Sequence, residues 1–370
     1  EIADYLGIKA IGFTNILDYS YLNDFFKERE KNNYNNELEE RDFNKRFHIK
    51  SYFDECKSIV AVGIPYAEGY KKINVHDKGL LSVVSYGLDY HVKIKNILTD
   101  FVTEIKKYVS FEHKIIVDTS PLIDREICKN AGIGMYGKNS MLINDAYGSF
   151  INLGYILTDL EIDCSDFVQN ADICYNCNIC INSCPNKAII KGGVINTKRC
   201  VSYLTQTKDY IPLEYRNNMT NQIYGCDVCQ LACPKNKKVS ELTSDCDYNE
   251  LMVDLKEIMI ISNSDFNRRY GLISGGWRGR NVWKRNALIA ISNLEMKSMF
   301  DTVKQELKNP SEIIKIYAAW SLLGLNYEKG SDLLHNIIKY ENDKIIHEYK
   351  KLLEVCNYVS GYLPNRNINI

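Results

Sequence analysis

Residues 174–185 read CYNCNICINSCP, in which Cys174, Cys177, Cys180 and Cys184 keep the spacing C-x2-C-x2-C-x3-C-P. A second group, YGCDVCQLACP (224–234), places Cys226, Cys229 and Cys233 in C-x2-C-x3-C-P, one cysteine short of the first. Cys200, in NTKRCVSYL (196–204), stands between the two. The chain has 13 cysteines, and these eight crowd together while Cys56, Cys128, Cys164, Cys246 and Cys356 are scattered. Crowding of this kind argues for metal binding rather than disulfides. The scattered five are expected to be small buried apolar residues.

The first run is the half-motif of bacterial two-cluster ferredoxins, whose fourth cysteine ligates the other cluster. A cubane takes four thiolates, so two [4Fe-4S] clusters take eight, and Cys200 completes the set. Crossing the cysteines that precede proline assigns Cys174, Cys177, Cys180 and Cys233 to one cluster, and Cys184, Cys200, Cys226 and Cys229 to the other. Paired C-x2-C knuckles also bind zinc, but zinc gives no reason for the full run. Two adjacent clusters imply one-electron transfer to a consumer of electrons in or beside the protein.

The 370 residues suit two or three domains. With 45% hydrophobic and 25% charged residues the composition is that of a globular protein. The net charge of −1 leaves polyanion binding to a local patch. No apolar run reaches bilayer length, and no basic segment followed by an apolar stretch opens the sequence, so a cytoplasmic protein without membrane contact is expected. The sequence starts at Glu1 rather than Met, and a few residues are expected to precede it.

To either side of the cysteines the pattern changes. Residues 1–168 alternate between strands and helices. KSIVAVGIPY (57–66), HKIIVDTSP (113–121), SMLIN and SFINLGYILTDL read as strands, and DYHVKIKNILTDFVTEIKKYV (89–109) as an amphipathic helix. Residues 169–238 hold the cysteines. Residues 250–370 are helical, and RNALIAIS (285–292) and YAAWSLLG (317–324) suggest HEAT-like stacked pairs or an ordinary bundle. The expected fold class is a multidomain α+β chain with a mixed α/β N-terminal domain, a ferredoxin-like centre and a helical C-terminal domain.

Outside the cysteines, Gly132, Gly134 and Gly137 have G-x-G-x-x-G spacing, but they follow a helix and enter a strand, the reverse of a dinucleotide site. They are expected to form a backbone loop close against something bulky. Asp118, ending the strand HKIIVD, suits ligand binding or proton transfer, or else caps the turn into the next helix. His91 is a ligand or a packed helix residue. NRRYGLISGGWRGRNVWKRN (267–286) has six Arg or Lys, no acid, and Tyr270, Trp277 and Trp283 interleaved. It suits phosphate contacts and base stacking, or forms a solvated charged face.

Together KSIVAVGIPY, SYGLDYH, VDTSP, AGIGMYGKNSMLI, the eight cysteines, RCVSYLTQTKDYIP and SGGWRGR with KRNALIA resemble the epoxyqueuosine reductase family, nearly end to end. The resemblance implies cobalamin held by the N-terminal domain, fed by the clusters and used to remove the epoxide oxygen of a modified tRNA wobble base, with Asp118 as proton donor. It implies cobalamin contacts at Arg46, Ser82, Asp118, Gly137, Ser140, Leu142, Ser202, Gln206 and Asp227. For tRNA it implies Lys208, Ser264, Asn267, Arg268, Arg278, Gly279, Arg280 and Asn281. A monomer served by an external low-potential electron donor is expected. The rival readings are a corrinoid reductive dehalogenase and an electron-transfer protein without catalysis of its own.

Overall fold

The computed structural model describes residues 1–66, 77–164, 172–237 and 248–358. Two compact units divide the chain discontinuously. The first comprises Glu1–Lys72, Tyr86–Lys198 and Asp227–Cys246, and the second Ile73–Ser85, Arg199–Cys226 and Asp247–Ile370.

The strands of the first unit are β1 (Ala10–Asn15), β2 (Ser58–Pro65), β3 (His113–Ile116), β4 (Met135–Tyr136), β5 (Leu142–Ile143), β6 (Ile151–Thr158), β7 (Ile189–Lys191) and β8 (Val194–Ile195). Four of them form an antiparallel sheet in the order β1-β2-β6-β3, with Ser58 opposite Thr158 and Pro65 opposite Ile151. β2 is a near-continuous apolar run because both of its faces are covered. Ile59 and Ala61 point into one core with Tyr155 and Leu157. Val60, Val62 and Ile64 point into the other, where helix α1 (Tyr90–Ile105) presents Ile94, Leu98 and Phe101. Each such side chain contributes about 1.5–3 kcal/mol by leaving water. On the first face lies α2 (Asp124–Asn130). Gly12 of β1 meets its end so closely that a Cβ would stand 1.7 Å from the Ala131 carbonyl oxygen.

The same unit contains α3 (Ile179–Ser183) and α4 (Val228–Leu231), one from each cysteine group, packed on one another.

In the second unit Lys78–Leu81 is the middle of a three-stranded sheet, parallel to Gln222–Tyr224 and antiparallel to Met252–Asp254. The helices that follow include α5 (Asn263–Tyr270), α6 (Arg280–Asn293), α7 (Glu312–Leu325), α8 (Tyr327–Ile337) and α9 (Asp343–Tyr358). α7 packs on α6, α8 and α9 and is buried around most of its circumference, Tyr317 and Trp320 included, as a helix apolar on all sides must be. Among the described residues no helix is long and apolar enough to cross a membrane.

Of the scattered cysteines, Cys56, Cys128 and Cys356 are buried and Cys164 is half-buried. Cys246 lies outside the described residues.

Candidate functional site

The ligand loops are short turns that end in small helices. Asp172 opens the first by accepting the N–H groups of Cys174 and Tyr175 at 2.9 and 3.0 Å. Burial raises the Cys180 thiol, and the nearby charges of Cys174, Cys233 and Cys177 raise it further. Burial likewise raises Cys233, with Cys174 and Cys177 adding to it. Cys174 and Cys177 thus stand close enough to Cys180 and Cys233 for their charges to be felt by both. Cys184 accepts the backbone N–H of Ala188 at 3.2 Å, a hydrogen bond of the kind that sets cluster potential. Cys200 caps the helix Val201–Leu204 of the second unit.

A second site forms where β3 ends. Asp118 has φ +55, a left-handed conformation that Asp tolerates at some cost. Thr119 N–H donates to the Val117 carbonyl at 2.6 Å, closing a tight turn with Asp118 at its apex. The carboxylate is thereby turned outward rather than used as a helix cap. α2 begins after Ile123 without a side-chain cap. Tyr90 Oη donates to Asp118 Oδ2, and His91 Nε2 stands 3.7 Å from the same oxygen. The other ring nitrogen of His91, Nδ1, is 2.7 Å from Asp89 Oδ1. Asp89 also accepts the His91 backbone N–H at 2.8 Å as the N-cap of α1.

These contacts set the charges. Hydrogen bonding to Asp118 and then to Asp89 raises the His91 imidazole to about 9. His91 in turn is the main cause that lowers the Asp118 carboxyl below its ordinary range, with Tyr90 assisting against partial burial. Burial drives Asp124 the other way, to about 7, although Tyr155 Oη donates to it at 2.7 Å. Asp118 also borders an open cavity of about 760 Å³, lined by Glu39, Arg41, Lys45 and Tyr52 among others, a size common in small-molecule sites.

The remaining residues implied by the resemblance fall in both units. In the first, Gly137, Ser140 and Leu142 share the β4–β5 hairpin. A Cβ on Gly134 would stand 2.8 Å from the Ile143 carbonyl oxygen, and one on Gly137 2.7 Å from Ile143 Cδ1, so the bulky neighbour of these glycines is their own hairpin. Ser140 has φ +61 and a buried Oγ with no hydrogen-bond partner, and the Asn139 Nδ2 beside it is likewise orphaned. The Ser140 carbonyl takes a 3.2 Å hydrogen bond from Arg125. Leu142 is 2% exposed and offers a ligand only its backbone. Arg46 lies 4.0 Å over the Phe26 ring and 3.9 Å from Glu39, with its Nε unpartnered. Asp227 is buried, and its charge helps raise Tyr66. In the second unit Ser82 N–H donates to the Tyr224 carbonyl at 2.8 Å, and Gln206 Nε2 donates to Ser202 O at 3.0 Å.

The basic stretch buries two of its six cations and two of its three aromatics, so it is not wholly a solvated charged face. Tyr270 and Trp283 are buried and pack on Phe266. Lys284 pairs with Glu306 at 2.8 Å. Arg285 is 1% exposed and donates to the Thr207 and Leu204 carbonyls. Of the residues implied for tRNA, Lys208, Ser264, Asn267, Arg268 and Asn281 are exposed, and Arg278, Gly279 and Arg280 are half-buried. The Arg278 guanidinium lies 4.0 Å over exposed Trp277, with Nε and Nη2 unpartnered. Gly279, at φ +79, makes the turn into α6 that lets Arg280 donate to the Ile261 carbonyl at 3.0 Å.

The sequence reading missed Tyr90, Asp124 and Tyr155. Tyr90 carried a signal, since it sits in SYGLDYH between an N-cap aspartate and a histidine. Nothing local marked the other two.

The chain is similar to known proteins along most of its length. The family described as "Epoxyqueuosine reductase QueG, DUF1730" matches residues 46–119, and "4Fe-4S double cluster binding domain" matches 173–236. The epoxyqueuosine reductase of Bacillus anthracis is 32% identical over 362 residues, covering 95% of this chain and 94% of the relative. That of Bacillus subtilis is 32% identical over 357 residues, covering 93% and 91%. A crystal structure of selenomethionine-labelled epoxyqueuosine reductase superposes with TM-score 0.88 at 31% identity over 96% of this chain and 97% of that one. A structure of epoxyqueuosine reductase with an epoxyqueuosine-modified tRNA-Tyr stem loop gives 0.87 at 30% identity over 96% of each. With that identity carried along almost its whole length, the chain belongs to the epoxyqueuosine reductase family.

Proposed function

We propose that this protein reduces epoxyqueuosine at the wobble position of tRNA to queuosine, using two [4Fe-4S] clusters and cobalamin. The observation that carries the reading is Asp118. A left-handed carboxylate buttressed by Tyr90 and His91 at the wall of a cavity accompanies an eight-cysteine relay in one chain of this family. Removing an epoxide oxygen consumes two electrons and two protons and leaves an alkene and water. Two one-electron clusters match the electrons, and Asp118 is placed for the protons.

Cys174, Cys177, Cys180 and Cys233 are proposed to hold one cluster, and Cys184, Cys200, Cys226 and Cys229 the other. Arg46, Ser82, Gly137, Ser140, the Leu142 backbone, Ser202, Gln206 and Asp227 are proposed to contact cobalamin. The orphaned Ser140 Oγ and Asn139 Nδ2 fit a ligand rich in amide groups, because buried polar atoms are rarely left unpaired. When bound, cobalamin supplies the reducing electron pair to the carbon–oxygen bond. The protein's own part is to exclude water and to deliver a proton from Asp118 to the departing oxygen. Lys208, Ser264, Asn267, Arg268, Arg278, Gly279, Arg280 and Asn281 are proposed to hold tRNA. The proposed domains are 1–168 for cobalamin, 169–238 for the clusters and a HEAT-like 250–370 for tRNA, in a cytoplasmic monomer reduced by an external low-potential donor.

Anaerobically reconstituted protein mixed with cobalamin should carry corrinoid and iron together through gel filtration. Iron-loaded protein that emerges free of corrinoid contradicts the cofactor assignment.

A further inference from the structure

The reaction proposed above needs two protons, and the group nearest the site holds none of its own. Asp118 is kept ionised by its neighbours, so at neutral pH it must first be given each proton it passes on. Two donors touch it. Tyr90 is a phenol whose proton is already engaged with Asp118 Oδ2. His91 presents Nε2 to that same oxygen at 3.7 Å while Nδ1 is anchored at 2.7 Å on Asp89.

We propose that His91 is the proton reservoir of the site, recharging Asp118 along the line Asp89–His91–Asp118 for each proton that the epoxide oxygen takes. The inference rests on the reductase reading and adds the source of its protons.

Three features of the line suit the role. Asp89 accepts both the backbone N–H and the Nδ1–H of His91, which fixes the ring and leaves Nε2–H aimed at Asp118. The Tyr90 ring stacks on the imidazole at 4.0 Å and holds its plane. The charged groups facing the imidazole are the carboxylates of Asp89 and Asp118, and both favour the cation, placing its proton loss near 9. At neutral pH the ring is therefore charged. The His91 side chain is 35% exposed, so solvent restores the proton after each transfer. In the balanced step the transfer is concerted: the His91 Nε2–H bond breaks and Asp118 passes the proton on as an oxygen–hydrogen bond forms on the departing oxygen, so that Asp118 does not rest in its acid form, and the oxygen leaves as water once two protons have passed. The two electrons come from the clusters.

His91 acts through Asp118, so its test must separate proton supply from mere positioning. In histidine-labelled, cluster-loaded protein, the NMR signal lost in His91→Gln should report a doubly protonated ring at pH 7, and Asp89→Asn should lower its titration midpoint. A neutral ring at pH 7 overturns the proposal. In single-turnover conversion of epoxyqueuosine stem loop, His91→Gln keeps a polar side chain beside Asp118 but carries no titratable proton. Its rate at neutral pH should fall by about 10²-fold or more and recover as pH is lowered. Added imidazole should restore His91→Ala. A His91→Gln profile of wild-type shape, or His91→Ala unresponsive to imidazole, overturns the relay. Wild-type protein that converts no epoxyqueuosine overturns the reductase reading instead, and the NMR result still decides the charge on His91.

Discussion

Tyr155 donates a 2.7 Å hydrogen bond to Asp124, yet burial and the charge on Asp118 still push the Asp124 carboxyl up to about 7. Two aspartates of one loop and helix are thus held in opposite states, Asp118 ionised and Asp124 close to half-protonated at neutral pH. Environments that drive like groups apart are a mark of acid–base sites.

This relationship makes stability pH-dependent. The folded value of Asp124 exceeds the unfolded one of about 3.9, so between about pH 4 and 7 the native state keeps a proton the unfolded chain has lost. Stability therefore falls as pH rises through that window. Asp124→Asn, which keeps an oxygen for Tyr155, should flatten the decline in denaturant midpoints across the window. An unchanged slope contradicts the burial argument.

Asp118→Asn should retain its turn, because Asn also tolerates a left-handed backbone, and should keep both clusters. Conversion of epoxyqueuosine should drop by about 10²–10⁴-fold, the usual worth of a placed proton-transfer group. Cluster absorbance and single-turnover assays on one sample check this. Turnover at the wild-type rate removes Asp118 from the mechanism.

Cys174 and Cys177 both raise Cys180 and Cys233, which fits the crossed ligand set that the cysteine spacing implies. Cys233→Ser should perturb the same cluster as Cys174→Ser, giving matching electron paramagnetic resonance changes on reduction. Cys229→Ser should perturb the other. Matching spectra for Cys229→Ser and Cys174→Ser contradict the pairing.

Arg278→Ala and Trp277→Ala address the outer face of the basic stretch. Loss of Arg278 should weaken stem-loop binding and reduce the salt slope by about one unit. Loss of Trp277 should cost about 1–3 kcal/mol with little change in slope, as stacking does. Arg285→Ala should act differently, destabilising the fold by roughly 3 kcal/mol or more, because it strips a buried cation from carbonyls that then lack donors. Binding titrations across a salt series and unfolding curves separate the two classes, and a folded Arg285→Ala variant of wild-type stability contradicts the assignment.

Much of this was legible in the residues. Strands such as KSIVAVGIPY are local signals and appear where the pattern put them, and the cysteine run is matched by the double-cluster family over 173–236. The buried end of the basic stretch was not legible, since Lys284, Arg285 and Asn286 satisfy carbonyls and an acid supplied by Thr207, Ile223 and Glu306, far along the chain. Nor was the discontinuity of the two units. Lys78–Leu81 falls in sequence within residues 1–168, while its pairing partners are Gln222–Tyr224 and Met252–Asp254. His91 was ambiguous for a related reason. A histidine in the first turn of a helix gains its meaning only when the turn after β3 brings Asp118 to it.

The most direct test of the central claim is mass analysis of an epoxyqueuosine-modified stem loop after anaerobic incubation with reduced, cluster-loaded protein, with and without cobalamin. Loss of one oxygen from the wobble nucleoside only when cobalamin is present is the predicted result. An unchanged nucleoside with both clusters and corrinoid bound contradicts it.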